Sequence, residues 1–183
     1  MIPRGFLYAF ASVLLSHLIT ACSGIYGGGD GAPLRSIAAS DVRDAIPRAD
    51  PIKGAGNQSP YTVRGVRYQV LENAHGYKER GVASWYGVKF QGKKTSNGEK
   101  YDLYGSTAAH KTLPIPSYVR VTNQHNGRSI VVRVNDRGPF HADRLIDLSY
   151  AAAVKLGFME RGTAMVEVEH ISVTGVEDLR HIT

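Results

Sequence analysis

The sequence has little of what staples or spans. One cysteine, Cys22, stands among 183 residues, so neither an intrachain disulfide nor a cysteine-built metal cluster exists. No apolar run suits a spanning helix: residues 6–15 form the best one, and Ser16 and His17 interrupt it. Long helical periodicities are sparse, which argues against a helical bundle. The net charge of +6 predicts attraction to polyanions or anionic surfaces. There is, however, no continuous basic helix, zinc-finger spacing or aromatic-rich RNA-binding motif, so nucleic acid is not an expected partner. No internal repeat appears.

What is present points to one small β-rich domain behind a targeting segment. Hydrophobic content of 43%, 20 glycines and 10 tyrosines fit short strands and tight turns around a single core. Arg4 followed by the short apolar stretch reads as a secretory signal over residues 1–21. Its end, Leu18-Ile19-Thr20-Ala21-Cys22, resembles a bacterial lipobox, in which the cysteine is lipidated and becomes the first mature residue. Acyl chains contribute about 0.8 kcal/mol per buried CH₂, so the expectation is a protein held on a membrane without spanning it. Ser23, rather than Asp, resembles the outer-membrane sorting pattern. Residues 22–60, rich in Gly, Pro and Asp, read as the lipidated N-terminus and a flexible linker, 61–77 as a lead-in, 78–172 as the folded domain and 173–183 as a tail.

Within the domain, residues 81–87, 117–123 and 129–135 alternate as strands. Asn126-Gly127 marks a hairpin between the last two. Residues 149–157 read as the one convincing helix, with Ser149 at the N-cap and Gly157 at C′. Residues 164–173 close the chain as a final strand, and the whole suggests a small closed barrel. Ile130, Val132 and Val134 share one face of a strand that stops at Asn135-Asp136-Arg137-Gly138-Pro139. That places Asp136 on a rigid element near its open end. Glu99 follows Asn97-Gly98 in another turn, and two carboxylates on two turns hint at acid/base work.

Residues 81–90 (GVASWYGVKF), 95–102 (TSNGEKYD), 107–114 (TAAHKTLP), 118–123 (YVRVTN), 126–140 (NGRSIVVRVNDRGPF) and 144–153 (RLIDLSYAAA) together resemble the rare lipoprotein A family. The resemblance covers about half of the chain in one unbroken order. It implies a mainly β fold: a six-stranded double-psi β-barrel with one or two short helices, preceded by a signal peptide and flexible linker. The activity it implies is that of a septal ring lytic transglycosylase, which cleaves the β-1,4 bond between N-acetylmuramic acid and N-acetylglucosamine and leaves a 1,6-anhydro end. No cofactor and no metal are implied. Peptidoglycan glycan strands, a membrane reached through Cys22, and division or cell-wall proteins are the implied partners.

Residue by residue, Asp136, Glu99 and His110 match the family's catalytic positions. Asp136 is expected as acid/base, with Glu99 positioning sugar or assisting proton transfer. Trp85, Tyr86, Asn135 and Arg137 are the substrate-binding candidates. Each has a plainer alternative: Asp136 capping its own turn, Glu99 a solvated turn residue, His110 a satisfied structural histidine, Trp85 and Tyr86 core aromatics, Arg137 a brace for the turn. Asp147 is read as capping the helix or pairing with Arg144. Members of the family often end in a glycan-binding SPOR module; the chain stops at Thr183, so the form expected is one without it. Two other readings stay open: a non-catalytic, expansin-like glycan-binding module, and a hydrolase using water with carboxyls roughly 6.5–9.5 Å apart.

Overall fold

The computed structural model describes residues 30–52 and 54–173. The leader, Cys22, the glycine run up to residue 29 and the tail from residue 174 lie outside the described residues. The first strands are a short hairpin, β1 (Tyr61–Val63) and β2 (Val66–Tyr68). Its turn residues Arg64 and Gly65 both have positive φ, 51° and 78°, the geometry that matches the twist of a tight hairpin. The lead-in begins with this antiparallel hairpin.

Six further strands follow: β3 (Lys78–Tyr86), β4 (Thr107–His110), β5 (Ser117–Asn123), β6 (Ser129–Asp136), β7 (Arg144–Ser149) and β8 (Thr163–His170). They close into a barrel in the order β3-β7-β4-β6-β5-β8. Neighbours β3 and β7 run parallel, as do β4 and β6; the remaining pairs are antiparallel. A parallel pair needs a crossover, and here each crossover carries other strands of the barrel. The mainly β fold is the expected double-psi barrel.

Alternation along β6 does the core-building. Ile130, Val132 and Val134 are at most 1% exposed, and Ile130 and Val132 register with Val121 and Val119 of β5. Each such side chain contributes roughly 1.5–3 kcal/mol by leaving water. Closure of the barrel leaves no exposed edge among these strands. The helix α1 (Tyr150–Leu156) follows β7 without a loop. Ser149 Oγ accepts the Ala152 N–H at 3.2 Å, and Gly157 ends the helix in the left-handed region at φ 72°, where a side chain would be strained. Its buried Ala151, Ala152 and Ala153 let it lie close against the barrel. Among the described residues no helix is long and apolar enough to cross a membrane.

The stretch read as linker behaves differently from residue 30 onward. It runs along the barrel as a strap: Val42 is 4% exposed within the core, the Ala45 N–H donates to Val131 O at 2.9 Å, and Asp50 pairs with Arg133. At the far end, Gly87 lets the strap pass overhead, since a Cβ there would meet Gly31 O at 2.1 Å. Single apolar residues without periodicity carry no strand or helix signal; their partners are supplied by a surface distant in sequence.

Candidate active site

The end of β6 is held by the turn that carries Glu99. Thr95 N–H donates to Glu99 O at 2.8 Å, Gly98 N–H donates to Thr95 O at 2.9 Å, and Gly98 takes φ 88°. This tight turn aims Ser96 at Asp136. Ser96 N–H and Oγ–H donate to Asp136 Oδ1 at 2.8 and 2.6 Å, and Arg137 N–H adds a third donor at 2.8 Å. Three donors on one oxygen fix the carboxylate's direction. Asp136 lines an open cavity of about 530 Å³ together with Trp85, Tyr86, Arg137, Phe140 and Asp147, a size ordinary for small-ligand sites.

Glu99 sits on the other side of the turn. Arg133 Nη2–H, Asn135 Nδ2–H and Asn97 Nδ2–H donate to it at 2.7, 2.8 and 2.9 Å. Burial alone would raise its pKa; these hydrogen bonds and the Arg133 charge outweigh that and hold it below the usual carboxylate value. Its surroundings are a smaller groove with Asp50, Pro116 and Arg133. Asp136 and Glu99 are therefore tied to one turn but face different hollows. Asn135, 2% exposed, orients Glu99 and does not line the Asp136 cavity.

His110 is 2% exposed. Its Nδ1 accepts the N–H groups of Thr112 and Leu113 at 3.2 and 3.1 Å, so the ring proton is on Nε2, which meets Tyr77 Oη at 2.9 Å. Tyr77 Oη–H passes on to Glu79 at 2.7 Å. Burial, then the charges of Arg137 and Lys111, push the imidazole down to about 3. A neutral, doubly satisfied ring does not reach the Asp136 cavity. His110 meets the site through its backbone: its carbonyl accepts Arg137 Nη1–H at 3.1 Å.

Arg137 lines the cavity, yet its guanidinium is engaged by the protein. It donates to Gly56 O at 2.7 Å, Leu113 O at 2.5 Å and Asn57 Oδ1 at 2.9 Å besides His110 O. Its geometry is that of a brace between strap, β4 loop and the Asp136 turn. Trp85 donates Nε1–H to Met159 O at 3.0 Å and packs edge-on against Tyr150. Tyr86 stacks on Tyr101 at 4.2 Å between centroids. Both are core aromatics with a face on the cavity.

Sequence reasoning set Asp147 aside, and Ser96 was not singled out. Asp147 does pair with Arg144, at 3.5 Å, but Ser149 caps the helix. Its carboxyl lies in the cavity wall and accepts Ser84 Oγ–H at 2.5 Å. Burial raises its pKa against the opposing effects of Ser84, Arg144, His141 and Lys111. Among the described residues, no group of three or more His, Cys, Asp or Glu is placed to hold a metal ion.

A closed barrel with two parallel pairs and a carboxylate presented at a strand end is a double-psi barrel domain, and residues 78–168 match the family described as Lytic transglycolase. The chain is 59% identical over 142 residues to the endolytic peptidoglycan transglycosylase RlpA of Pseudomonas aeruginosa strain UCBPP-PA14, covering 78% of this chain and 41% of that one. It is 50% identical over 171 residues to the Vibrio cholerae protein of the same name, covering 91% and 64%. The Neisseria meningitidis Z2491 protein of that name is 57% identical over 128 residues, covering 70% and 53%. The chain thus belongs to the rare lipoprotein A family. It spans less than two thirds of the length of these relatives.

Proposed function

We propose that the chain is a lytic transglycosylase of the bacterial envelope, acting on the β-1,4 bond between N-acetylmuramic acid and N-acetylglucosamine in peptidoglycan. The muramyl C6 hydroxyl attacks C1 while the C1–O bond to the next sugar breaks. Its proton is replaced on the departing oxygen by one from the enzyme, no water is consumed, and a 1,6-anhydro end remains. The reaction so written uses no cofactor. The observation that carries the reading is Asp136, oriented by Ser96 and the Arg137 N–H at the mouth of an open cavity within a domain of this family.

Asp136 takes part in the proton transfer, since it alone of the three family positions lines the cavity. Glu99, held ionised by Arg133 and Asn135, positions the turn that carries Ser96 and meets the glycan in its own groove. His110 is a positioning residue acting through Arg137. Trp85 and Tyr86 offer faces to a sugar ring. In this reading glycan strands without stem peptides are the preferred substrate, lipid on Cys22 anchors the chain to the outer membrane, and division or cell-wall proteins are its partners.

Mass spectrometry of peptidoglycan, intact and stripped of stem peptides, after incubation with the detergent-solubilised full chain tests the reading. Products ending in 1,6-anhydromuramic acid, lost at least ~100-fold in Asp136→Asn, are the expected result. Reducing ends would make the protein a hydrolase, and co-sedimentation with glycan without cleavage would make it a binding module.

A further inference from the structure

Strand β4 lies between β6 and β7, and one residue of it registers with a carboxylate on each side. Ala109 pairs with Asp136 across the parallel ladder and with Asp147 across the antiparallel one. Neighbouring strands lie about 4.8 Å apart, so the two aspartate Cα atoms stand about 10 Å from each other in a single row. Ala109, Asp136 and Asp147 all line the same cavity. The methyl of Ala109 leaves the floor between the carboxyls low. Two side chains rising from such a row flank a space in which a glycosidic linkage can lie, the arrangement that two-carboxyl glycoside chemistry uses.

Their surroundings differ in kind. Asp136 receives three hydrogen-bond donors on one oxygen, two of them backbone N–H groups. Asp147 receives Ser84 Oγ–H, with Arg144 at 3.5 Å, and that guanidinium also donates to Ser84 Oγ at 2.6 Å. Asp136 is pinned by its three donors at the strand end, while Asp147 sits deep in the wall, where burial outweighs Ser84, Arg144, His141 and Lys111 and raises its pKa. A carboxyl that burial keeps protonated is suited to act as the acid of such a pair.

Resting on the lytic reading above, we propose that Asp147 is the general acid of the reaction and Asp136 its general base. Asp147 gives its proton to the glycosidic oxygen as the C1–O bond breaks, and the departing N-acetylglucosamine carries that proton as its O4 hydroxyl. Asp136 takes the proton of the muramyl C6 hydroxyl as the O6–C1 bond forms. The pair is left with its proton on Asp136 rather than Asp147, and exchange with solvent restores the starting state. The groups facing Asp147 are Arg144 on its own strand, Ser84 and Tyr86 on β3, Lys111 after β4, His141 in the loop before β7, and Asp136 across Ala109. Burial first, then Tyr101 and these two carboxylates, holds the Tyr86 phenol well above its ordinary value, so it stays protonated.

The test is the pH dependence of anhydro-end formation by the detergent-solubilised full chain, as wild type, Asp147→Asn and Ser84→Ala, with glycan co-sedimentation measured in parallel. Expected are a rate for Asp147→Asn at least ~100-fold below wild type, glycan binding within about threefold, and a residual rate that no longer falls on the alkaline side. Ser84→Ala removes a hydrogen bond that favours the ionised form, so its alkaline limb should move to higher pH. Wild-type turnover in Asp147→Asn, or a residual rate that keeps the alkaline limb, would overturn the assignment. Should that variant fail to fold, an alkaline limb unmoved in Ser84→Ala overturns it equally. If wild type itself yields no anhydro ends, the lytic reading falls and this assignment with it; if wild type cleaves, only the assignment is at stake.

Discussion

Arg133 on β6 joins the Glu99 turn to the N-terminal strap: its Nη2–H donates to Glu99 at 2.7 Å while Nη1 meets Asp50. Arg133 and Asp50 side chains are 14% and 15% exposed, Glu99 40%. Removing the guanidinium leaves one poorly solvated carboxylate and one half-solvated one without their cation. Breaking a buried pair costs about 3–5 kcal/mol, and solvent screening at Glu99 lowers that to about 2–3. Arg133→Gln should therefore lower the melting temperature by several degrees and reduce turnover, because the turn aiming Ser96 at Asp136 loosens. A melting temperature within a degree of wild type in thermal scans would show that the strap does not depend on this residue.

Acid sensitivity should come in two windows. His110 is neutral in the fold with a pKa near 3, against about 6.5 when unfolded. Between those values the unfolded chain binds a proton that the folded chain does not, so stability is lost as pH falls below 6.5. The loss is about 2 kcal/mol by pH 5, from 1.4 kcal/mol per pH unit. Glu99 adds a second loss of the opposite chemical type: its folded pKa is depressed, so its stabilisation is present above the unfolded value near 4.5 and fades as pH falls through the folded one. Melting temperature measured from pH 7 to 3.5 should decline throughout and more steeply below about 4.5, with Glu99→Gln making only that lower part shallower. Imidazole resonances of His110 titrating near pH 6.5 would contradict the first.

Arg137→Lys should be costly despite keeping the charge. The guanidinium donates in a fork to four acceptors contributed by Gly56, Asn57, His110 and Leu113, and an ammonium on a flexible stem cannot reach all four. At least two carbonyl oxygens lose their donor, for about 2–3 kcal/mol. Denaturant midpoints compared with an Arg120→Lys control, on the exposed face of β5, would measure the difference. An equal midpoint for both variants would reduce Arg137 to a surface charge.

On the proposed lipobox reading, Cys22→Ala should release the chain from membranes in cell fractionation, since the acyl chains of that reading attach at this cysteine. A variant still pelleting with lipid after a salt wash would count against the lipobox.

Much of the barrel is written locally. Alternating Ile130, Val132 and Val134, the Asn126-Gly127 turn, and the Ser149 and Gly157 caps each act over a few residues, and each matches the observed element closely. Strands β4 and β7 were not legible as strands. Thr107-Ala108-Ala109-His110 has too few β-branched residues, and β7 runs straight into α1 with no turn between them. Their pairing comes from strands on both sides that are remote in sequence. The strap was misleading for the same reason: Val42, Asp50 and Asn57 look like linker residues until the barrel surface supplies their partners.

The candidate site divides along the same line. Motif order alone singled out Asp136, Glu99 and His110, because the turn chemistry around each is local. Which of them faces a cavity is a matter of burial and register, which short-range pattern does not encode. Only closure of the barrel put Asp136 and Asp147 either side of Ala109, turned Glu99 toward Arg133, and sealed His110 among the Tyr77 hydroxyl and two backbone N–H groups. Sequence by itself determined strands β3, β5, β6 and β8, the hairpin turn, the helix caps and the family, through interactions that act within a few residues. Tertiary structure decided the electrostatics of the carboxyls, because pKa and access depend on which distant groups the fold brings near.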